Sequence, residues 1–217
     1  MTKRHRGPSL LHEEELRSKG FHPIAGVDEA GRGPLAGPVV AACAILDQDD
    51  FPTAINDSKK LSKISRKKIF FELQKKAKFG IGVVDEKTID EINILQATKL
   101  AMFRAFLDLQ KKYQIFPQAI LIDGNFIPFA KQDQICEMLA VVKGDQKSLS
   151  IAAASIIAKE TRDEIMNQLH QEFPQFGFNK HAGYPTKFHV EKIREFGICK
   201  FHRKSFEPIK SMFHANN

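Results

Sequence analysis

A chain of 217 residues with 42% hydrophobic and 27% charged residues suits one ordinary domain with at most a small appendage, and it excludes a disordered polymer. The 33 Lys and Arg against 26 Asp and Glu leave a formal net charge of +7, which favours a polyanionic partner through the surface field alone. No apolar run reaches the ~18 residues of a membrane helix, and Cys43, Cys136 and Cys199 have neither disulfide-framework nor zinc spacing, so a cytoplasmic protein with reduced thiols and no membrane contact is expected.

Residues 1–20 are polar, and Glu13 to Arg17 could form a helical turn or two; without a wide apolar stripe they read as a loosely docked leader. Ile24 to Asp28 reads as a strand. Pro38 to Leu46 reads as a second, paired with the first through a Gly-rich connection. Residues 47–58 are loop, and Ser62 can cap a helix running to about Ala77. Gly80 to Val84 suggests a short strand, and Ile92 to Lys112 the clearest amphipathic helix. Ala119 to Ile122 and Met138 to Val142 read as buried strands, each leading to an acid beside a glycine. A long helix from Ser148 to Phe173 is small and apolar in its first half, and Pro174 and Gly177 end it. One more helix covers Thr186 to Phe196. The pattern predicts an α/β fold with a mixed central sheet flanked by helices. The expected division is a leader over 1–20, a catalytic core over 21–178 and a helical substrate-binding extension over 179–217.

Three predicted strand ends carry acids: Asp28-Glu29, Asp123 and Asp145. Taken singly, an Asp-Gly pair reads as a turn. Brought to one sheet edge, four carboxylates repel one another unless cations neutralise them. Oxygen donors of this kind suit Mg²⁺ or Mn²⁺ rather than zinc, and two such ions ~4 Å apart can activate a water and stabilise the leaving oxygen of a phosphodiester. Gly31-Arg32-Gly33 follows the first pair of acids at once. A hairpin turn is one reading; the other is backbone brought against a ribose where a side chain would block approach. It is neither a dinucleotide fingerprint nor a phosphate loop, for the glycine spacing is wrong and no Gly-Lys-Ser/Thr follows.

The stretch Gly26-Val27-Asp28-Glu29-Ala30-Gly31-Arg32-Gly33-Pro34-Leu35-Ala36-Gly37-Pro38-Val39 resembles the signature of ribonuclease HII, the type 2 ribonuclease H family. Further blocks agree in order: Asp57-Ser58-Lys59-Lys60-Leu61-Ser62, Leu121-Ile122-Asp123-Gly124-Asn125, Val142-Lys143-Gly144-Asp145, His181-Ala182-Gly183-Tyr184-Pro185-Thr186 and His202-Arg203-Lys204-Ser205-Phe206. The resemblance covers about residues 22 to 210. It implies a ribonuclease H-like fold, endonucleolytic cleavage of RNA in RNA–DNA hybrids, and incision 5′ to a lone ribonucleotide in duplex DNA. It implies Asp28, Glu29, Asp123 and Asp145 as the catalytic acids and metal ligands. By the same resemblance, Gly31, Arg32 and Gly33 read the ribose 2′-OH through the backbone, and Tyr184 tests the RNA-to-DNA junction. The related ribonuclease HIII has a different loop after its acids and a longer N-terminal domain, so that assignment is rejected.

Around the acids, Lys59 and Lys60 read either as phosphate contacts or as a solvated charge run. Lys143 lies just before Asp145, and Ser148 opens a helix, first of all as a cap and also as a phosphate cradle. Glu160 and Asp163 are rival acids that read as helix-surface ion pairs, and His181, His189 and His202 read as hydrogen-bonded structural residues. Two other classes stand beside the main one: a nuclease of the same acid-cluster fold acting on DNA alone, and a non-catalytic nucleic-acid-binding module. A monomer is expected, and any replication protein that recruits the chain is not readable from the sequence.

Overall fold

The computed structural model describes residues 7–128 and 136–214. In chain order these form α1 (Leu11–Ser18), β1 (Ile24–Ala30), β2 (Val39–Leu46), α2 (Lys63–Lys76), β3 (Ala77–Val84), α3 (Glu86–Tyr113), β4 (Ala119–Asp123), β5 (Glu137–Val141), α4 (Leu149–Glu172), α5 (Phe178–His181), α6 (Lys187–Phe196) and α7 (Ile209–His214). The strands make one mixed sheet in the order β3-β2-β1-β4-β5. β1–β2 and β2–β3 are antiparallel, whereas β1–β4 and β4–β5 are parallel. The C-terminal ends of β1, β4 and β5 therefore share one edge.

Helices cover both faces, which is why β2 is apolar at every position. Its Val39, Ala41 and Cys43 join Ile89, Met102, Phe106 and Leu109 of α3 on one side. Its Ala42, Ala44 and Leu46 join Ile69 and Leu73 of α2 and Ile156 and Ile157 of α4 on the other. This is the two-residue alternation of a strand sorting side chains between two cores. On the α3 side the helix approaches β3 closely: a Cβ at Gly80 would stand 2.2 Å from the Ala105 carbonyl oxygen, and one at Gly82 1.9 Å from that of Ala101.

The predicted amphipathic helix begins earlier than its apolar pattern suggests. Asp85 caps a first segment through Thr88 N, and the chain then breaks helical geometry at Asn93 (φ 66°, ψ 163°). The Asn93 side-chain oxygen accepts from Leu95 N and Gln96 N at 3.0 and 3.2 Å, so it caps the second segment.

The leader is not loosely docked over α1. Glu13 is buried, and its Oε1 accepts from Ser148 Oγ at 2.6 Å and from Ser150 N at 2.9 Å. Leu16 packs with Ile24, Leu121, Val141 and Ile151. The sequence offers no apolar stripe here; one leucine, one carboxylate on the Ser148 hydroxyl and the Ser150 amide, and the backbone of Ser9 on Lys147 and Leu149 do the holding. At the other end, Phe178, Ile193 and Ile209 share a cluster with Leu35, Ala36 and Met166, so the packing crosses the expected boundary at residue 178. Among the described residues, no helix is long and apolar enough to cross a membrane.

Candidate active site

The sheet brings the predicted acids to one place. β1 and β4 pair in parallel through Val27 and Ile122, so Asp28 and Asp123 each come one residue later on neighbouring strands, which lie ~4.8 Å apart. Asp145 sits on a single 3-10 turn, Gly144–Gln146, shortly after β5. The Gly144 amide donates to Asp123 Oδ1 at 2.6 Å and ties that turn to β4. Glu29 follows Asp28 and faces Arg32, whose Nη1 donates to Glu29 Oε1 at 3.2 Å.

The electrostatics are those of crowded acids. Burial holds Asp28 well above the usual carboxylate range, and the charges of Glu29 and Asp123 push it further. Burial also raises Glu29, against the pull of Arg32. Asp145 is raised by burial and by Asp123, and lowered in part by Lys59, whose Nζ lies 3.5 Å from Asp145 Oδ2. Burial works against the Lys59 ammonium, but Asp145, Asp28, Asp57 and Asp123 outweigh it and raise its pKa.

Among the described residues, no three His, Cys, Asp or Glu side chains already form a metal-ligating cage. Each carboxylate instead has a protein donor on one oxygen: the Glu29 amide for Asp28, Arg32 for Glu29, the Gly144 amide for Asp123, and Lys59 for Asp145. The donor set nevertheless fits a hard divalent cation. All four offer oxygen, Glu29 Oε2 is buried without a partner, and Asp28 sits in repulsion that positive charge would relieve.

Asp28 and Glu29 line a cleft of about 220 Å³ with Gly31, Arg32, Gly33, Lys59 and Tyr184. Two buried arginines, which the sequence alone did not single out for this role, build its wall. Arg203 Nη2 donates to Gly31 O (2.6 Å) and Gly37 O (2.7 Å), Nη1 to Arg32 O (3.1 Å) and Nε to Gly37 O (2.9 Å). A trans peptide turns its N–H opposite its C=O. With the Gly31 and Arg32 carbonyls on Arg203, the Arg32 and Gly33 amides therefore aim the other way. Arg162 donates from Nε to Pro38 O, from Nη2 to Ala36 O and from Nη1 to Ala182 O at 2.9–3.0 Å, joining this loop to the Tyr184 segment. Burial lowers Arg162 to about 10 and Arg203 to about 9, which leaves both charged at neutral pH. Gly31 is fixed by both its φ of +97° and its neighbour, since a Cβ there would stand 2.0 Å from Arg162 Nε. The Tyr184 ring lies beside Gly33, with Cε1 3.6 Å from where a Cβ would be. The signal for Arg203 was its place in the block His202-Arg203-Lys204-Ser205-Phe206; fork-shaped donors beside a loop of inward carbonyls cannot be read from composition.

The remaining predicted residues divide. Lys59 lines the cleft, held by its amide on Asp57 Oδ1 at 2.9 Å. Lys60 and Lys143 are exposed and do not line it. Ser148 does not fit as a phosphate cradle. It is fully buried, its hydroxyl donates to Glu13 and accepts from Ile151 N at 3.2 Å, and the leader covers it. Glu160 and Asp163 form ion pairs, as expected, but not on the helix surface: both reach Arg66 of α2, at 2.6 and 2.8 Å, and the group is largely buried between the two helices.

Acids at one edge of a sheet in this strand order, beside a glycine loop, define a hydrolytic nuclease of ribonuclease H-like fold. The family model for ribonuclease HII matches residues 25–209. A ribonuclease HII of Chlamydia pneumoniae is 49% identical over 205 residues, covering 94% of this chain and 92% of its own. The crystal structure of the ribonuclease H2 from Pyrococcus horikoshii superposes with a TM-score of 0.70 at 29% identity, over 88% of this chain and 97% of that one. The ribonuclease HII in a PCNA complex from Archaeoglobus fulgidus does so with 0.71 at 26% identity, over 85% and 95%. The chain belongs to the ribonuclease HII family, and with it to the ribonuclease H endonucleases.

Proposed function

We propose that the chain hydrolyses the RNA strand of RNA–DNA hybrids and incises 5′ to single ribonucleotides embedded in duplex DNA, leaving 5′-phosphate and 3′-hydroxyl ends. The observation that carries this reading is one cleft holding the buried Asp28, the half-buried Glu29, the Gly31-Arg32-Gly33 loop and Tyr184 together. Asp28, Glu29, Asp123 and Asp145 would hold divalent cations, Mg²⁺ or Mn²⁺, which when bound supply the positive charge for in-line attack of water and departure of the 3′ oxygen. The amides of Arg32 and Gly33 face the ribose, where only an RNA sugar offers a 2′-OH partner. Tyr184 packs on that sugar and tests the RNA-to-DNA junction beside it. Lys59 takes a phosphate at the cleft rim. Phosphate contacts make affinity fall with salt.

The proposed division of labour keeps residues 21–178 as the catalytic core and 179–217 as the substrate-binding extension. The relative from Archaeoglobus fulgidus is seen with PCNA, which makes a replication protein the partner class to test here. A monomer acting in the cytoplasm completes the reading. The deciding experiment compares a duplex carrying one ribonucleotide with the same duplex in all-DNA form, in Mg²⁺, in Mn²⁺ and with chelator. Metal-dependent cutting of the first alone is expected. Equal cutting of both would favour a DNA nuclease, and chelator-insensitive binding without cutting would favour a binding module.

A further inference from the structure

Behind Tyr184 lie two histidines that the chemistry above does not use. His189 is fully buried and His202 is 2% exposed, and the rings of Phe176 and Phe178 surround them at centroid distances of 4.8–6.4 Å. A polar ring buried among aromatic rings is costly unless its nitrogens are paired. All four are paired. The Cys199 amide donates to His202 Nδ1 at 3.0 Å and the Cys199 thiol lies 3.2 Å from the same nitrogen; as the acceptor of the amide proton, Nδ1 carries none of its own, which places the His202 proton on Nε2. His202 Nε2 then donates to His189 Nε2 at 3.1 Å, so the His189 proton must sit on Nδ1. His189 Nδ1 donates to the carbonyl oxygen of Tyr184 at 2.9 Å. Every proton in this chain is assigned by the one before it, and the direction runs from the amide of Cys199 to the carbonyl of Tyr184. Burial pushes both imidazoles down to about 4, in keeping with neutral rings at working pH.

We propose that His189 and His202 are positioning residues for Tyr184, a one-way hydrogen-bond relay that fixes the seat of its ring beside Gly33. The proposal rests on the reading of Tyr184 as the group that tests the ribose junction. The rest of the segment is tied by bonds that leave the Tyr184 carbonyl to this relay and to the Thr186 amide: Leu35 N donates to Gly183 O at 2.8 Å, and Arg162 holds Ala182 O. Releasing the relay takes away one of the two bonds to the Tyr184 carbonyl, leaving that peptide held by the Thr186 amide alone, while the Tyr184 amide stays on His181 O at 2.9 Å and the neighbours stay pinned. The consequence falls on placement of the ring and not on the acids.

Side-chain amides separate this role from packing. An Asn nitrogen can stand where His Nδ1 stands, and a Gln nitrogen where His Nε2 stands. At 189 the bond that matters leaves from Nδ1, so His189→Asn should keep most activity and His189→Gln should lose it. At 202 it leaves from Nε2, so His202→Gln should be tolerated and His202→Asn should not. The loss expected for the unfavourable member of each pair is about tenfold in kcat/KM on a duplex with one ribonucleotide, the scale of one buried hydrogen bond. In a Tyr184→Ala background, none of the four should change the rate further. Melting is followed for each variant, and activity is measured well below its transition. The crossed Asn/Gln order, with the loss absent in the Tyr184→Ala background, supports the relay. The same order at both positions, or a loss that persists without Tyr184, overturns it. If Tyr184→Ala alone leaves incision at the single ribonucleotide unchanged, the underlying reading of Tyr184 fails instead, and the two failures are told apart.

Discussion

Replacing Arg203 by lysine keeps the charge and removes the fork. In the native chain the guanidinium reaches three carbonyls, those of Gly31, Arg32 and Gly37, through four contacts of 2.6–3.1 Å. It is fully buried, and its central carbon, Cζ, lies 5.0 Å from the centre of the Phe206 ring. An ammonium is a point donor on a flexible stem and cannot serve three acceptors set around a planar group. One or two buried carbonyls are left without a partner, at about 1–3 kcal/mol each, so Arg203→Lys should destabilise the fold by about 2–4 kcal/mol. For a domain of this size that lowers the melting temperature by about 5–15 °C. Thermal unfolding followed by circular dichroism measures it. The loosened Gly31 and Arg32 peptides should also blunt the preference for a single ribonucleotide over a long hybrid, measured as the ratio of the two kcat/KM values. An Arg203→Lys protein that melts with the native chain and keeps that ratio would refute the clamp.

Asp28→Asn should abolish cleavage yet raise the melting temperature, because burial and two acidic neighbours already oppose the native charge; a lowered melting temperature, or native turnover, contradicts this. The same variant should lose most of the thermal stabilisation that added Mn²⁺ or Mg²⁺ gives the native chain. Glu13→Ala strands Ser148 Oγ and Ser150 N and should cost about 1–3 kcal/mol in urea unfolding, with Glu13→Gln costing less; equal stability of all three proteins would argue against the cap. His189 and His202 are held at about 4 in the fold, against 6.5 for a free histidine, with His181 the nearest further imidazole, stacked on His189 at 4.6 Å. Between those values the unfolded chain binds more protons than the folded one. Their contribution is therefore complete above about pH 6.5 and is lost as pH falls towards 4, at ~1.4 kcal/mol per pKa unit for each ring. His202→Gln should flatten the fall of stability over that interval in urea titrations at stepped pH.

The strands were legible because β1, β2 and β4 are buried on both faces and read as unbroken apolar runs. Asp28, Glu29 and Asp123 were legible because they end such runs; Asp145 follows the half-exposed edge strand β5, read from the sequence as buried, and reaches the site on the 3-10 turn beyond it. What was hidden depended on contacts between distant segments. The first segment of α3 carries no apolar stripe, since its work is done by Asp85, by Ile89, and by Asp90, which receives the amides of Lys204 and Ser205. Ser148 read correctly as a cap and wrongly as a phosphate cradle, because the carboxylate that covers it lies 135 residues away in the chain. Arg162 sits beside Asp163 in sequence, which suggests an ion pair. On the helix their side chains diverge, Asp163 to Arg66 and Lys159, Arg162 to three carbonyls.

The leader's grip on α4 bears on how this protein can be shortened or tagged. The family model matches from residue 25, and a recombinant version cut there would lose Glu13 and Leu16 together. The bare start of α4 and the apolar faces of Leu121, Val141 and Ile151 would meet water, inviting self-association. The turn bearing Asp145 would lose the strap that Ser9 ties to Lys147 and Leu149. An affinity tag therefore belongs ahead of an intact Ser9–Leu16 segment, and a shortened enzyme that precipitates or works poorly would reflect the cut, not the chemistry of its cleft.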